Sequence, residues 1–534
     1  MTTPSSVGPT AGPGGAPEAA PGGAPGGAPG DPTSAPLGAR AARGAVVTIG
    51  GQAIRMVVQV VSVVLLARML SPHDYGLVAM VLAVVGIGEI FRDFGLSSAA
   101  IQAKTLSRAQ RDNLFWLNSG MGLLLSVLAF AAAGPLATLY GEPELVPVAR
   151  ALAVTFLLSG LATQYRADLN RHLRFALLAA VDVAAPVVGL AVALTFALLD
   201  AGYWALVAQQ VSVALTLLVG AAIAARWVPR LPRRDADMRG LLRFGWNLLA
   251  TQVIGYAGNN VDSLVIGLRF GAGPLGLYNR AFHLLMTPLS QLRSPTTTVA
   301  LPVLSRLREE PARFDEFVRR GQLALGYTLV VGLGLVVAGA DPLTDVLLGS
   351  QWTEVAPVIR LLAVAGVFQT LAYVGYWVYL ACGLTDVLLR YTMVSVALKV
   401  ACIVVGSQWG IVGAAAGYAL APALSWPLSL WWLSRHTRFP LRTLLLGAGR
   451  VLTLVALASG AGWLTAHLVG SGVAALDLLV TVGAAGVVHV AAWLTVPSVR
   501  RDVHDVALVA RLARHRPTGV TNAAQRDTPD EDRS

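Results

Sequence analysis

Apolar segments of about 20 residues alternate with short polar stretches from residue 45 to residue 496. A helix rises about 1.5 Å per residue, so a segment of this length crosses the roughly 30 Å hydrocarbon layer of a membrane. The pattern predicts fourteen membrane-spanning helices, at 45–66, 76–91, 114–134, 145–163, 175–199, 203–225, 243–267, 276–302, 322–340, 355–381, 387–406, 409–433, 444–465 and 474–496. The eighth contains two prolines and three threonines within 294–302, which predicts a broken or kinked helix there.

The composition is that of a polytopic all-α membrane protein. Hydrophobic residues make up 55% of the 534 and charged residues only 13%, about half of the charged fraction of a typical soluble protein. A soluble enzyme, a secreted disulfide scaffold and a nucleic-acid-binding protein are therefore excluded. The two cysteines, Cys382 and Cys402, have no histidine or carboxylate neighbours at ligand spacing. We therefore expect no metal site and no cofactor.

Basic residues fall mainly in alternate connections between the predicted helices. If the N-terminus is inside, the inner segments hold 31 of the 40 lysines and arginines, the outer connections hold two, and seven lie within the spans. Lysine and arginine collect on the cytoplasmic side of membrane proteins. The asymmetry predicts a cytoplasmic membrane protein with both termini in the cytoplasm, and the Arg/Ala/Gly-rich composition is typical of a bacterial source.

The chain is expected to contain two halves of six helices each, with further segments around them. The Pro/Gly/Ala-rich N-terminal tail has almost nothing to bury, which predicts disorder. The expected divisions are the disordered tail 1–43, the first six-helix bundle 44–225, a basic cytoplasmic linker 226–243, the second six-helix bundle 244–433, two further helices in 434–496 and a flexible cytoplasmic tail 497–534.

Two short similarities about 200 residues apart indicate that the halves are related. Residues 65–77 resemble 266–278, and residues 202–206 resemble 408–412. Six spans separate the copies, so both halves have the same orientation in the membrane. Transporters built from such repeats bind substrate between the halves and alternate its access to the two sides.

Four stretches, taken in order, resemble a known family. They are ARMLSPHDYG (67–76), FRDFGLSSA (91–99), NVDSLVIG followed by LGLYNRA (260–281), and LGSQW followed by APVIRLL (348–362). Over residues 40–435 the chain resembles the polysaccharide exporters of the multidrug/oligosaccharidyl-lipid/polysaccharide superfamily, in particular the colanic-acid and teichuronic-acid exporter type.

The resemblance implies a flippase for undecaprenyl-diphosphate-linked sugar repeat units. It also implies two six-helix bundles around a V-shaped cavity, with two helices appended. The implied partners are the lipid-linked oligosaccharide, membrane lipids and assembly proteins such as a glycan polymerase, but no nucleic acid.

Basic residues within the spans are the first candidates for a functional site. An ionisable group in the bilayer interior costs about 2.5–3.5 kcal/mol on insertion scales. Arg55, Arg280, Arg293 and Lys399 are the hypothesised binding set for an anionic lipid diphosphate or sugar, because arginine forks onto phosphate oxygens. The structural alternative is that each extends to the membrane interface or pairs with a carboxylate.

Polar residues in the seventh and fifth spans are the second group. Asn259, Asn260 and Asp262 predict a polar cavity or an ion-coupling site. The alternative is an interhelical hydrogen-bond cluster in which Asp262 neutralises Arg280. Asp182, a lone carboxylate in the fifth span, is a further candidate for proton coupling.

Three charged residues, Glu89, Arg92 and Asp93, lie at the cytoplasmic end of the second span. They form either a cytoplasmic gate or an interfacial salt-bridge group. Most tryptophans and tyrosines in the chain are expected to lie in interfacial belts.

The leading hypothesis is a transporter, not an enzyme, that flips an anionic lipid-linked oligosaccharide. The sequence has no GxxxxGK[ST] motif, so direct ATP hydrolysis is excluded. A multidrug exporter is an alternative, although cationic drugs would call for a carboxylate-lined cavity. A membrane glycosyltransferase or polymerase is disfavoured by the short outer connections, and a scaffold that recruits partners through its tails remains a further alternative.

Overall fold

In the computed structural model, the described residues are 37–93, 107–232 and 260–514. Ten helical stretches among them are long and apolar enough to cross a membrane, and these residues contain no strand. The predicted all-α membrane class is therefore confirmed, while the count of fourteen spans stays a prediction. The helices are α1 (Leu37–Ala67), α2 (Pro72–Asp93), α3 (Arg108–Tyr140), α4 (Leu145–Arg171), α5 (Phe175–Leu198), α6 (Trp204–Ala225), the described part of α7 (260–270), α8 (Ala272–Arg306), α9 (Pro311–Ala338), α10 (Ala340–Leu347), α11 (Ala356–Ala381), α12 (Thr385–Gly406), α13 (Gly410–His436), α14 (Leu441–Val469), α15 (Ala474–Thr495) and α16 (Pro497–Arg514).

Two of the predicted tails are partly helical. Helix α1 begins at Leu37, so the prediction of disorder is wrong for residues 37–43, whereas residues 1–36 lie outside the described residues. The prediction of a flexible C-terminal tail is wrong over α16, because two of its carboxylates are held by ion pairs. Asp502 accepts from Arg450 at 2.9 Å, and Asp505 accepts from Arg319 at 2.5 Å.

The eighth predicted span is one continuous helix, so the predicted break is absent, while the alternative of a kink stays a prediction. Helix α8 continues through three prolines, at 288, 295 and 302. Hydroxyl groups beside them, on Ser290, Thr296 and Thr298, donate to carbonyls of the preceding turn. These carbonyls are not the ones that lose a donor to the prolines, and membrane helices tolerate proline where neighbouring groups satisfy the freed backbone.

Helices pack mainly within each predicted half. In the first half α3 packs on α4, α5 on α6, and both α4 and α5 contact further helices of that half. In the second half α11 and α12 pack on α13, and α8 packs on α11. Helix α14 packs on α15 and on α9. The principal contact between the halves, within the described ranges, is between α2 and α8.

Two glycines permit the close approach of α2 and α8. A Cβ atom built on Gly76 would lie 1.7 Å from the carbonyl oxygen of Ala272, and one on Gly276 would lie 1.9 Å from that of Pro72. Any side chain at either position would overlap the backbone of the other helix. Gly76 and Gly276 also occupy equivalent positions in the two similar sequence stretches.

Hydrogen bonds to the end of α1 strengthen this contact. Trp352 Nε1 donates to the carbonyl of Ala67 at 2.7 Å, and Gln351 Nε2 donates to the same carbonyl at 2.6 Å. Arg68 donates to the carbonyl of Val346 at 2.5 Å. These residues, with the glycine contact, close the molecule at one end, which we call the closed end. It is built from the connections that the charge distribution predicts to be outer.

Candidate functional site

A cavity of about 650 Å³ lies between the halves, directly beside the closed end. Helices α1, α2, α4, α5 and α6 of the first half and α7 and α8 of the second half form its wall. Its titratable lining residues are Arg55, Tyr75, Arg166, Asp182, Arg280 and His283. Its uncharged polar lining residues are Gln59, Ser62, Gln209, Gln210, Asn260, Ser263, Asn279 and Gln291. The cavity wall therefore carries many polar side chains, several of them amides, among the apolar residues of these helices.

Arg280 is the central cation of this cavity. Its guanidinium carbon lies 3.7 Å from the ring centroid of Tyr75, so the contact joins α8 to α2. Its Nε is buried and has no hydrogen-bond partner. No carboxylate of the described residues lies within 4.0 Å of it. A guanidinium group in this setting retains donors and charge for an anionic ligand.

Arg55 lies on α1 and contributes a second guanidinium group to the same cavity. It donates to Gln52 Oε1, one turn earlier, at 2.6 Å. Again no carboxylate in the described ranges lies within 4.0 Å. The amide orients Arg55 without neutralising its charge, so two hypothesised anion-binding residues share one cavity.

The description of Asp182 as a lone carboxylate is wrong. Asp182 Oδ1 accepts from Arg166 at 2.5 Å, and both side chains line the cavity. With the fourth span predicted to end at residue 163, Arg166 is expected in a cytoplasmic connection. Helix α4 continues to Arg171, which brings Arg166 onto the cavity wall.

Arg293 and Lys399 do not line this cavity. The Arg293 guanidinium lies 5.4 Å from the ring of Tyr373 and donates to Gln369 at 3.4 Å. Lys399 Nζ lies 4.8 Å from the ring centroid of Tyr418. Both cations thus contact aromatic rings inside the second half, apart from Arg55 and Arg280.

Asp262 does not neutralise Arg280 as hypothesised. Its carboxylate is 2% exposed, accepts from the Tyr278 hydroxyl at 2.7 Å, and interacts electrostatically with Lys399. Asp262 therefore belongs to an interhelical polar cluster, which was the alternative interpretation. Asn260 lines the cavity, and Asn259 lies outside the described residues.

The charged residues at the end of α2 form an ion pair that joins two helices of the first half. Arg92 Nε donates to Glu89 at 2.8 Å, and its NH1 group donates to the Ser159 carbonyl at 3.2 Å and to the Thr163 hydroxyl. Asp93 is the last residue of α2. Because these bonds stay within one half, they match the salt-bridge interpretation better than a gate between the halves.

Several cavity residues are not among the site residues predicted from the sequence. The adjacent glutamines Gln209 and Gln210 stand in the middle of an apolar span, which is a usable signal for an interior polar surface. Nothing in the sequence neighbourhood of Tyr75 indicates the arginine that stacks on its ring. Within the described ranges, no group of three or more His, Cys, Asp or Glu residues could hold a metal ion.

Two curated proteins are similar to this chain over most of its length. The lipopolysaccharide biosynthesis protein WzxC of Escherichia coli (strain K12) is 26% identical over 379 residues, which cover 69% of this chain and 76% of that protein. The teichuronic acid biosynthesis protein TuaB of Bacillus subtilis (strain 168) is 27% identical over 340 residues, which cover 62% of this chain and 69% of that protein.

Solved structures of low sequence identity share the fold. The lipid II flippase MurJ, in an inward closed conformation, superposes with a TM-score of 0.63 at 12% identity, covering 84% of this chain and 99% of that one. An inward-facing multidrug resistance MATE family transporter of the MOP superfamily has a TM-score of 0.55 at 14% identity, covering 74% and 98%.

The resemblance to polysaccharide exporters is confirmed by a family match. The model of a family described as polysaccharide biosynthesis protein matches residues 65–357. This match includes α2, α8 and the cavity residues of every wall helix except α1, most of which precedes it. Because it covers more than half of the chain, the protein belongs to the polysaccharide biosynthesis protein family.

Proposed function

We propose that the protein flips undecaprenyl-diphosphate-linked oligosaccharide repeat units across the bacterial cytoplasmic membrane for cell-surface polysaccharide synthesis. The observation that carries this proposal is the pair Arg55 and Arg280, which face one cavity with no carboxylate of the described residues within 4.0 Å. Relatives named for lipopolysaccharide and teichuronic acid biosynthesis support it, as does the fold shared with a lipid II flippase.

The side chains of the cavity suit both the diphosphate and the sugars of such a substrate. A diphosphate offers anionic oxygens that guanidinium groups bind in a bidentate manner, and these charge-assisted bonds strengthen away from water. The amides of Gln59, Gln209, Gln210 and Asn279 can donate to and accept from sugar hydroxyls. No covalent step is needed, so the residues act by binding and orientation alone.

The proposed architecture is that of fourteen helices in two six-helix bundles, related by a pseudo-twofold repeat, with α14 and α15 appended. We propose the domain divisions predicted from the sequence as the boundaries of these bundles. It is supported by the contact of Gly76 with the α8 backbone and of Gly276 with the α2 backbone, because these residues are equivalent in the repeat. The two bundles would expose the cavity to each side in turn.

The proposed orientation has both termini in the cytoplasm. The closed end consists of connections that carry almost none of the basic residues, which supports an outward position for it. The cavity would then receive substrate from the cytoplasmic side, and opening of the closed end would release it to the outer leaflet.

Arg55 and Arg280 are the proposed anion-binding residues of this cavity, with Asn260 in its polar wall. Arg293 and Lys399 are proposed as a second cationic group that the substrate meets in the second half during transport. The ion pair of Asp182 with Arg166 is proposed to separate when protons or substrate enter the cavity. Asp182 thereby stays a candidate for coupling transport to proton movement.

A cationic drug is a poor match for this cavity. Its lining has three arginines and a single aspartate, and that aspartate is already paired. A multidrug exporter of cations would need the opposite balance of charge. The observed charge therefore favours the flippase over the exporter alternative.

Two measurements test the proposal. Depletion of the protein in its native bacterium should cause an undecaprenyl-linked oligosaccharide to accumulate in the inner leaflet. Arg280→Gln should reduce flipping of that lipid in proteoliposomes by about 10- to 150-fold, the equivalent of losing about 1.5–3 kcal/mol of charge-assisted hydrogen bonding.

Arg150→Gln is the matched control, because Arg150 is an exposed arginine of α4 that lies over the ring of Phe130, outside the cavity. It should retain transport. Equal loss in both variants at equal expression, or accumulation of no lipid-linked oligosaccharide, would contradict the proposed function.

A further inference from the structure

Three contacts join the anion-binding cavity to the closed end. Arg280 of α8 lies over the ring of Tyr75 of α2, with 3.7 Å between the guanidinium carbon and the ring centroid. The Tyr75 ring meets the Trp352 ring edge-on, with centroids 5.6 Å apart and planes at 65°. Trp352 in turn donates to the carbonyl of Ala67, at the end of α1. The contacts are continuous, and the first of them links the two halves.

The ring of Tyr75, rather than its hydroxyl, makes these contacts. Tyr75 is 4% exposed, and its buried hydroxyl has no hydrogen-bond partner. The ring presents one face to the Arg280 cation and meets Trp352 as an aromatic neighbour. A residue conserving the ring but lacking the hydroxyl should therefore preserve both contacts.

The attraction between Arg280 and the Tyr75 ring depends on the positive charge of the guanidinium group. A cation over an aromatic face is held by the ring quadrupole, most strongly where water is excluded. An anion that binds the guanidinium edge offsets this charge and competes for its position. Ligand binding should therefore weaken a charged contact that holds α8 against α2 beside the closed end.

We propose that Tyr75 and Arg280 form a ligand-sensitive clasp, which keeps the closed end shut while the cavity is empty and releases it when an anion binds. Tyr75 acts as a positioning residue through Arg280 and need not touch the substrate. The close packing of Gly76 and Gly276 supplies a contact that does not sense the ligand. The clasp rests on the proposed function, since it takes the transported anion as its trigger.

A cysteine reporter in the cavity wall would measure the opening of the closed end. Ala79 lies on α2, one turn beyond Tyr75, and lines the cavity. We would introduce Ala79→Cys after replacing Cys382 and Cys402 by alanine, and label proteoliposomes with a membrane-impermeant maleimide from the outer side. The probes are vesicles containing undecaprenyl diphosphate and, as the uncharged control, undecaprenol.

The expected result is slow labelling without anion and about tenfold faster labelling with undecaprenyl diphosphate, the change that follows from losing one desolvated cation–π contact. Tyr75→Leu should label quickly even without lipid and respond little to it. Tyr75→Phe should behave like the unmodified protein, because the ring remains. Undecaprenol should have no effect in any of them.

Tyr140→Leu is the matched control for the loss of a tyrosine whose hydroxyl is buried without a partner. The Tyr140 ring lies close to Gly267, its hydroxyl is also buried without a partner, and none of the cation–π contacts of the described residues involves it. This variant should keep both slow labelling and the response to lipid. If Tyr140→Leu labels as fast as Tyr75→Leu, or if Tyr75→Leu responds to lipid as fully as the unmodified protein, the clasp is wrong.

The clasp and the proposed function can fail separately. A response to undecaprenyl diphosphate in a protein that transports no lipid-linked oligosaccharide would refute the function and leave the clasp intact. Transport with an unaltered response in Tyr75→Leu would refute the clasp alone. The absence of any response in the unmodified protein would also refute the clasp.

Discussion

Replacing Gly276 by alanine should force open the contact between α2 and α8. The added Cβ atom would lie 1.9 Å from the carbonyl oxygen of Pro72, whereas ordinary contacts begin at 3.4 Å. The difference, 3.4 − 1.9 = 1.5 Å, is the overlap that a shift of the two backbones must relieve. The obstructing atom belongs to the backbone and not to a flexible side chain, so local rotation cannot relieve it.

Overpacking of this kind costs about 1–3 kcal/mol, and here the cost falls on the state in which the halves touch. The equilibrium between the closed and the separated arrangement should therefore shift by about 5- to 150-fold. Labelling of the Ala79→Cys reporter from the outer side should rise by a similar factor without substrate. Flipping should fall, because a carrier that cannot close one end cannot alternate its access.

Gly273→Ala is the matched control. Gly273 lies one turn earlier on α8, and a Cβ atom there would have nothing within 4 Å. Any loss of helix flexibility is common to both variants, whereas the overlap is present in only one. If Gly276→Ala and Gly273→Ala give the same labelling and transport, the close approach of the helices does not control closure.

Two further predictions concern ion pairs. Asp502→Asn should lower the free energy of unfolding by about 1–3 kcal/mol, because it leaves the half-exposed Arg450 without its buried partner. A thermal melt in detergent would show the loss of stability, and Asp386→Asn, at an exposed carboxylate, should leave the melt unchanged. Asp262→Asn and Lys399→Gln should show a coupling energy in a double-mutant cycle of thermal stability, because the two side chains interact electrostatically; additive losses would contradict this.

The membrane-protein class could be predicted from the sequence, because backbone groups in lipid must be hydrogen-bonded within the segment and long apolar helices meet that requirement. Their ends were harder to place. Helix α4 continues from residue 163 to Arg171 through a polar stretch, because that stretch faces a cavity and other helices instead of lipid. Periodicity of apolar residues cannot separate such a polar interior face from a connection in water.

The cations in the spans were visible in the sequence, but their partners were not. Arg360 and Arg450 are paired with Asp341 and Asp502, which come from other helices. Arg280 is stacked on Tyr75 instead. Which arginine is neutralised depends on tertiary neighbours far away in sequence, and this decides which one is available to an anion.

The meeting of Gly76 and Gly276 resembles the isologous interface of a twofold dimer, in which equivalent residues face each other. In a true dimer every substitution appears on both sides of the axis, so a charge near it would face its own copy. A single chain is free of this restriction. Four residues beyond Gly276 stands Arg280, whereas four residues beyond Gly76 stands the fully buried Met80. Fusion of the two halves thus permits a symmetric closure beside an asymmetric arrangement of charge.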